Sequence, residues 1–134
     1  MPDRVRSLPK AKSTNFVRKS EQFLRSSESA VERGDWDAAV SHAVHAGMCI
    51  ADALTVFYLG QRSSSQDHRD VLRLVDSVRF ERGELNRNKR HLSDLLATKN
   101  AAVYEDRLLS ESDAIGAVEH CRRFCRWARG KLPY

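Results

Sequence analysis

The sequence contains few residues that interrupt helices or cross-link loops. Its 134 residues include three prolines, six glycines and three cysteines, and aromatic residues account for only 7%. Such scarce proline and glycine permit long uninterrupted helices. An odd number of cysteines without framework spacing argues against a disulfide-stapled secreted domain and favours reduced thiols in a reducing compartment.

The cysteines do not predict a metal site. Cys121 and Cys125 lie one helical turn apart, and His120 is adjacent to Cys121. On a helix His120 points about 100° away from Cys121, which is unfavourable for shared coordination. We therefore expect packed core thiols, no metal and no cofactor.

The chain also lacks a long apolar run. Its most apolar stretch, AVHAGMCIADALTVFYLG, is interrupted by His45 and Asp52 and lacks the roughly 20 apolar residues that a membrane span needs. The N-terminal MPDRVRSLPKAKSTN is basic but has no apolar core typical of a signal peptide. We expect a cytoplasmic protein without membrane association.

What is present is a mixture of apolar and charged residues. Hydrophobic residues make up 41% and charged residues 31% of the chain, which is typical of one soluble domain with a charged surface. The net charge of +5 suits a polyanionic partner, although the same charge also serves solubility.

The pattern along the chain predicts a helical bundle. Residues 1–12 hold two prolines and four basic residues without apolar periodicity, which predicts a mobile basic arm before a single domain over 13–134. Gly34 and Gly60 are expected to end the first two helices, and a capping box of Ser110 and Asp113 to start the last. No segment reads as a strand. The fold class is therefore all-α, an antiparallel bundle of four to five helices. Pro133 is expected to follow the end of the last helix.

A polar row interrupts the apolar second helix. Ser41, His45 and Asp52 line up opposite its predicted core face. The row is either a solvated face or a buried polar network or dimer seam, since buried polar groups need partners. The sequence leaves these interpretations open.

Two blocks of the chain stand out together. The first, HAGMCIADALTVFYLGQRSSSQDH, joins the second helix to a serine-rich loop, and the second, LLATKNAAVYED, precedes a capped helix that ends in RRFCRWARGKL. In order and spacing they resemble the HEPN family of helical proteins. The resemblance spans residues 13–132 and implies a HEPN-like fold.

The resemblance also implies a function and a set of partners. Many members of this family are metal-independent ribonucleases that use an arginine, a polar neighbour and a histidine, and they form homodimers. Many belong to toxin-antitoxin or defence systems, often beside a nucleotidyltransferase. In this chain Lys99, Asn100 and Tyr104 occupy the three positions of the motif and are the catalytic candidates.

The substitutions in the motif favour binding over catalysis. Lys99 supplies charge, but without the bidentate fork of arginine. Tyr104, with an ordinary pKa of about 10, is a poor general base at neutral pH. Asn100 and Tyr104 share a helix face and can hold a phosphate or a base edge.

Five further residues are predicted to contact the ligand. Asp52, Arg62 and His68 lie in the first block, where His68 is either a site member or a residue that caps the next helix. Arg122 and Arg126 belong to an arginine stripe on the last helix. If these cations meet on one surface, they attract phosphates whatever the base sequence.

The function expected from these observations is binding of RNA or a nucleotide at a basic cleft of a homodimer, with weak or lost ribonuclease activity. Two alternatives stay open. In the first, the chain is an active endoribonuclease toxin. In the second, it is a protein-binding subunit that partners a nucleotidyltransferase or an antitoxin.

Overall fold

Five α-helices form the body of the protein. The computed structural model describes the backbone of residues 5–65, 67–104 and 106–134, and the side chains of these residues except 101–104. The elements in chain order are β1 (Val5–Ser7), a short 3-10 helix (Lys10–Lys12), α1 (Ser13–Arg33), α2 (Trp36–Leu59), β2 (Gln61–Ser63), α3 (His68–Asp76), α4 (Arg82–Tyr104) and α5 (Glu111–Gly130). The predicted all-α class is confirmed.

Helix α2 is the centre of the bundle, because α1, α3, α4 and α5 all pack against it. Residues 49–56 are buried without interruption, so apolar surface covers nearly the whole circumference of this part of the helix. The helix is long and apolar enough to cross a membrane, but 72% of its most apolar window is buried inside the protein. That burial is consistent with the core helix of a soluble protein.

Local sequence signals set the ends of three helices. Gly34 and Gly60 adopt left-handed backbone with φ of 76° and 67° and end α1 and α2, a conformation that glycine adopts without steric penalty. At the start of α5, the Asp113 N–H donates to Ser110 Oγ at 3.1 Å and the Ser110 N–H donates to the Asp113 carboxylate at 2.9 Å. The predicted stops and capping box are confirmed.

The structure corrects the expectation that no strand forms, and within the predicted arm it places Val5–Ser7 in β1 and Lys10–Lys12 in the 3-10 helix. The mobility of residues 1–12 stays a prediction. β1 pairs antiparallel with β2, and the register places Arg6 opposite Arg62. The Leu8 N–H donates to the Gly60 carbonyl at 2.9 Å and continues the pairing past the strand. Strands of three residues are too short to leave an alternating pattern, so the sequence does not predict them.

Gly47 allows α4 to approach α2 closely. A Cβ atom at this position would lie 2.6 Å from Cδ2 of Leu95 and 3.4 Å from Cδ1 of Leu92. Both leucines are fully buried, so they have little room to move away. Lys99 lies one turn beyond Leu95, and its position therefore depends on this close contact.

We expect Gly47→Val to lower the free energy of unfolding by about 1–3 kcal/mol, because the added side chain overpacks the contact between α2 and α4. Gly116→Val is the matched control, since a Cβ there meets no described atom within 4 Å. Its effect should stay within about 0.5 kcal/mol. Urea unfolding measures both changes, and equal losses at the two positions would contradict a close approach at Gly47.

Candidate functional site

A cavity of about 470 Å³ lies between α2, the segment that follows β2, and the end of α4. We call it the Asp52 cavity. Its apolar wall consists of Val40, Val44, Met48 and Val71. Its polar wall consists of Arg6, Ser41, His45, Asp52, Arg62, Ser63, Ser64, Ser65 and Lys99. An apolar wall with a few convergent polar groups is typical of small-ligand sites.

Asp52 is the carboxylate of this cavity. It is only 7% exposed, and its Oδ2 lies 3.4 Å from Nη2 of Arg62. Burial raises the pKa of Asp52 to about 6, and the charges of Arg62 and Lys19 limit the rise. The carboxyl group is therefore ionised at neutral pH and gains a proton under mildly acidic conditions.

Arg62 is fixed by an aromatic contact and carries a nitrogen without a hydrogen-bond partner among the described residues. Its guanidinium carbon lies 5.1 Å from the centroid of the Phe16 ring, which holds the planar group over the aromatic face. Its Nε is buried and has no hydrogen-bond partner among the described residues. A buried donor without a partner is costly unless a ligand or water accepts from it.

Backbone-to-side-chain hydrogen bonds hold the serine-rich loop against the start of α3. The Ser65 N–H donates to Ser63 Oγ at 3.3 Å, and the Asp67 N–H donates to Ser65 Oγ at 3.0 Å. Asp67 is the N-cap of α3 and accepts from the Arg69 N–H at 2.9 Å. His68 is therefore not the cap, and its Nε2 is buried without a hydrogen-bond partner among the described residues.

The charge of Lys99 contributes to lowering the pKa of two histidines, His45 and His68. Burial and, next, the charge of Lys99 lower the pKa of His68. Burial, followed by the charges of His42, Lys19 and Lys99, lowers the pKa of His45. Since the ordinary histidine pKa is already below 7, both imidazoles are neutral at neutral pH and can accept a proton.

The three predicted catalytic residues are placed differently. Lys99 is half-buried and lines the Asp52 cavity. Asn100 is exposed and is not part of the cavity wall. The side chain of Tyr104 lies outside the described residues. A catalytic group formed by all three stays a prediction.

The five predicted binding residues fall into two regions. Asp52 and Arg62 line the Asp52 cavity, and His68 lies near Lys99. Arg122 and Arg126 instead line a groove between α1 and α5. That groove shares no described residue with the Asp52 cavity, so the structure does not bring the two arginines of α5 to this site.

Arg122 has a structural partner in its own groove. Its Nη2 donates to the Glu28 carboxylate at 2.7 Å and links α5 to α1. Arg126 is exposed. The arginine stripe predicted from the sequence is therefore used, at least at Arg122, for packing between two helices.

The three residues of the polar row on α2 differ in their exposure. Ser41 and His45 are exposed and Asp52 is buried, yet all three line the Asp52 cavity. Neither of the two interpretations left open by the sequence describes the whole row. Sequence reasoning counted Arg6 only among the basic residues of the predicted arm. It did not assign Arg6 to this site, because the signal that does so is the pairing of β1 with β2, which joins residues far apart in the chain.

The described residues contain no group of three or more histidine, cysteine, aspartate or glutamate side chains arranged to hold a metal ion. Cys49, Cys121 and Cys125 are buried free thiols. The wall of the Asp52 cavity offers three cations, one carboxylate, the imidazole of His45 and serine hydroxyls.

Comparison with protein-family models identifies a family for this chain. A family model described as HEPN domain matches residues 14–131. No curated protein matches the chain. The matched range covers α2 to α5, all of α1 except its first residue, Ser13, and every residue of the Asp52 cavity wall except Arg6. The resemblance predicted from the sequence is confirmed.

Asp52 should make the stability of the protein depend on pH. Because burial raises its pKa to about 6 in the folded chain, its contribution to stability is present at low pH and is lost as the pH rises through that value. Asp52→Asn removes this pH-dependent loss of stability, because asparagine has no carboxyl group to titrate. We expect the free energy of unfolding of the variant, relative to wild type, to rise by about 1.5 kcal/mol between pH 5 and pH 8.

Urea unfolding of both proteins at the two pH values measures this difference. Glu32→Gln, which alters an exposed carboxylate on α1, is the control and should show no comparable change. A difference between Asp52→Asn and wild type that does not vary with pH would contradict a raised pKa at Asp52.

Proposed function

This chain belongs to the HEPN family, and from that premise we propose that it binds RNA or a nucleotide in the Asp52 cavity, with weak or no metal-independent ribonuclease activity. The observation that supports the proposal most directly is the charge of the cavity wall. Three cations, Arg6, Arg62 and Lys99, face a single carboxylate among the described residues of that wall. Excess positive charge in a concave site attracts phosphate groups.

The cavity also suits the other parts of a nucleotide. Its volume of about 470 Å³ is within the range of small-ligand sites. The guanidinium group of Arg62 can donate two parallel hydrogen bonds to a phosphate, and Ser63 and Ser65 bring hydroxyl groups beside it. The apolar wall offers a surface for a base or ribose.

The expectation of weak catalysis rests on the acid and base that RNA cleavage requires. Transesterification without a metal needs a base for the 2′-hydroxyl, an acid for the leaving oxygen and positive charge beside the phosphorane. Lys99 supplies charge as a point cation. Tyr104 replaces the histidine of the family motif and is a poor base at neutral pH.

A second candidate function, an active endoribonuclease toxin, is favoured by one observation. His68 lies close enough to Lys99 for the lysine charge to lower its pKa. A neutral imidazole beside a cation can accept the proton of a 2′-hydroxyl while the cation stabilises the phosphate. In this alternative His68 takes the part that Tyr104 cannot.

We also propose a homodimer, which the family resemblance implies. Two large apolar side chains between the end of α4 and the first turns of α5 are exposed, Leu108 at 85% and Ile115 at 50%. Burial of such side chains in an interface between two copies would stabilise a dimer. Sedimentation velocity tests this directly, and a monomeric mass at micromolar concentration would contradict it.

Binding should depend on Arg62 and Lys99. We expect Arg62→Ala and Lys99→Ala each to weaken RNA binding about 5–30-fold, because a charge-assisted hydrogen bond to a phosphate contributes roughly 1–2 kcal/mol. Filter binding over a salt series measures the affinity. Arg90→Ala, on the opposite face of α4 from Lys99, is the control for loss of one positive charge.

The wild-type protein must lose affinity as salt rises, since phosphate contacts release counterions. A flat salt response would contradict phosphate binding. Failure of the wild-type protein to bind either RNA or nucleotides would leave the third interpretation, a protein-binding subunit that partners a nucleotidyltransferase or an antitoxin.

Cleavage distinguishes the first two functions. We expect purified protein to cleave mixed RNA slowly or not at all in the presence of EDTA, because the motif lacks its histidine. Rapid cleavage that is lost in Lys99→Ala and in His68→Ala would replace the first proposal by the toxin. Gel electrophoresis of the RNA products provides the measurement, and Arg90→Ala again serves as the control.

A further inference from the structure

A second concave surface adjoins the Asp52 cavity. It has a volume of about 370 Å³ and lies between the N-terminal segment, α1 and β2. Five cations line it: Arg6, Lys12, Arg18, Lys19 and Arg62. The described residues of its wall include no aspartate or glutamate. We call this surface the basic groove.

Four of the five cations of the basic groove, Arg6, Lys12, Arg18 and Lys19, differ from many others on this protein in having no carboxylate partner among the described residues. Arg82 and Lys89 pair with Asp76, and Arg122 pairs with Glu28. In the groove, Arg62 alone has a carboxylate within 4.0 Å among the residues that the structure describes.

Two cations of the groove converge on one aromatic ring. The Lys19 Nζ lies 5.7 Å and the Arg62 guanidinium carbon 5.1 Å from the centroid of Phe16. The five cations of the groove have one carboxylate partner between them, Asp52 beside Arg62, and like charges in such excess repel one another. A bound polyanion would relieve that repulsion, which is the physical reason to expect one here.

The groove and the Asp52 cavity form one continuous surface. Arg6 and Arg62 line both of them, and the strand register places these two residues opposite each other. A ligand that occupies the cavity therefore reaches the groove by passing these two guanidinium groups. Arg6 and Lys12 precede the range matched by the family model, which begins at residue 14.

We propose that the basic groove binds the backbone of single-stranded RNA while one nucleotide of the same strand occupies the Asp52 cavity. This inference rests on the proposed function and extends it. Each of the two concavities is large enough for about one nucleotide, so together they suit a short stretch of strand. The amide side chains of Asn15 and Gln22 in the groove can bond base edges that a single strand exposes.

A double helix does not fit this arrangement. In a duplex the bases are paired and stacked, and moving one nucleotide into a pocket requires that stacking and pairing be broken. A single strand presents its bases without that cost. The protein should therefore prefer single-stranded to double-stranded RNA of the same length.

The test compares ligands that reach one or both surfaces. A mononucleotide such as AMP can occupy the Asp52 cavity alone, whereas a single-stranded hexanucleotide spans the cavity and the groove. We expect the hexanucleotide to bind at least 10-fold more tightly than AMP at low salt. Fluorescence anisotropy with a labelled hexanucleotide, and competition by AMP, give both affinities.

The double variant Lys12→Ala/Arg18→Ala separates the two surfaces, because Lys12 and Arg18 line the basic groove and not the Asp52 cavity. Both side chains are exposed, so the fold should be retained, and circular dichroism checks that it is. We expect hexanucleotide affinity to fall about 10-fold and the slope of log affinity against log salt to decrease by about 1.4, for two lost phosphate contacts on a single strand. AMP affinity should change less than 2-fold.

The control is Arg79→Ala/Arg90→Ala, which removes the same charge from two exposed residues outside both surfaces. It should leave hexanucleotide affinity within about 2-fold of wild type, because distant exposed charges are screened. Equal losses in the two double variants would overturn the inference, since net charge would then explain the effect.

The failure of this inference differs from failure of the proposed function. If the hexanucleotide and AMP bind with equal affinity, or if duplex RNA binds as tightly as the single strand, the groove inference is overturned and the cavity remains a nucleotide site. If neither the hexanucleotide nor AMP binds wild-type protein, the proposed function itself fails.

Discussion

Helix α2 is packed against all four of the other helices, and each part of the site depends on that packing. The helix carries Asp52 within its buried segment 49–56 and directs it to the cavity wall. It ends at Gly60, which turns the chain directly into β2 and Arg62. Its glycine at position 47 lets α4 approach, and this contact sets where Lys99 lies. Asp52, Arg62 and Lys99 therefore reach one cavity because α2 carries the first, leads directly into the strand of the second and packs against the helix of the third.

The electrostatics of this region follow from the burial of a carboxylate among cations. Asp52 loses hydration inside the protein, and the attraction of Arg62 offsets that loss incompletely, so the carboxyl pKa remains raised to about 6. Around it the cations exceed the described acids. Such a region contributes less to folding stability than a surface on which every charge is paired. Perturbed and unpaired charges of this kind are typical of functional sites.

Elsewhere the same residue types stabilise the bundle. Arg122 of α5 bonds to Glu28 of α1, and Lys131 after α5 pairs with Glu84 of α4. These pairs join helices and leave little charge for a partner. The binding role that we propose on a chain that is basic overall rests on the contrast between paired cations at helix contacts and the cations Arg6, Lys12, Arg18 and Lys19, which have no carboxylate partner among the described residues.

How far the sequence determined the protein depends on the distance over which each signal acts. Gly34, Gly60 and the Ser110–Asp113 capping box act within a few residues, so the helix ends and the all-α bundle follow from the chain itself. The family resemblance likewise located Lys99, because the motif is contiguous. Asp52 and Arg62 were identified as candidates, but neither their ion pair nor the burial of Asp52 is a property of neighbouring residues.

The tertiary structure alone decided which cations share a surface. It joined Arg6 to Arg62 across more than fifty residues through a pair of three-residue strands, and it placed Arg122 and Arg126 in a different groove. Periodicity reports which face of a helix is apolar, but it carries no information on how the polar faces of different elements meet. That arrangement is set by side-chain packing around α2, a three-dimensional constraint that no linear pattern records.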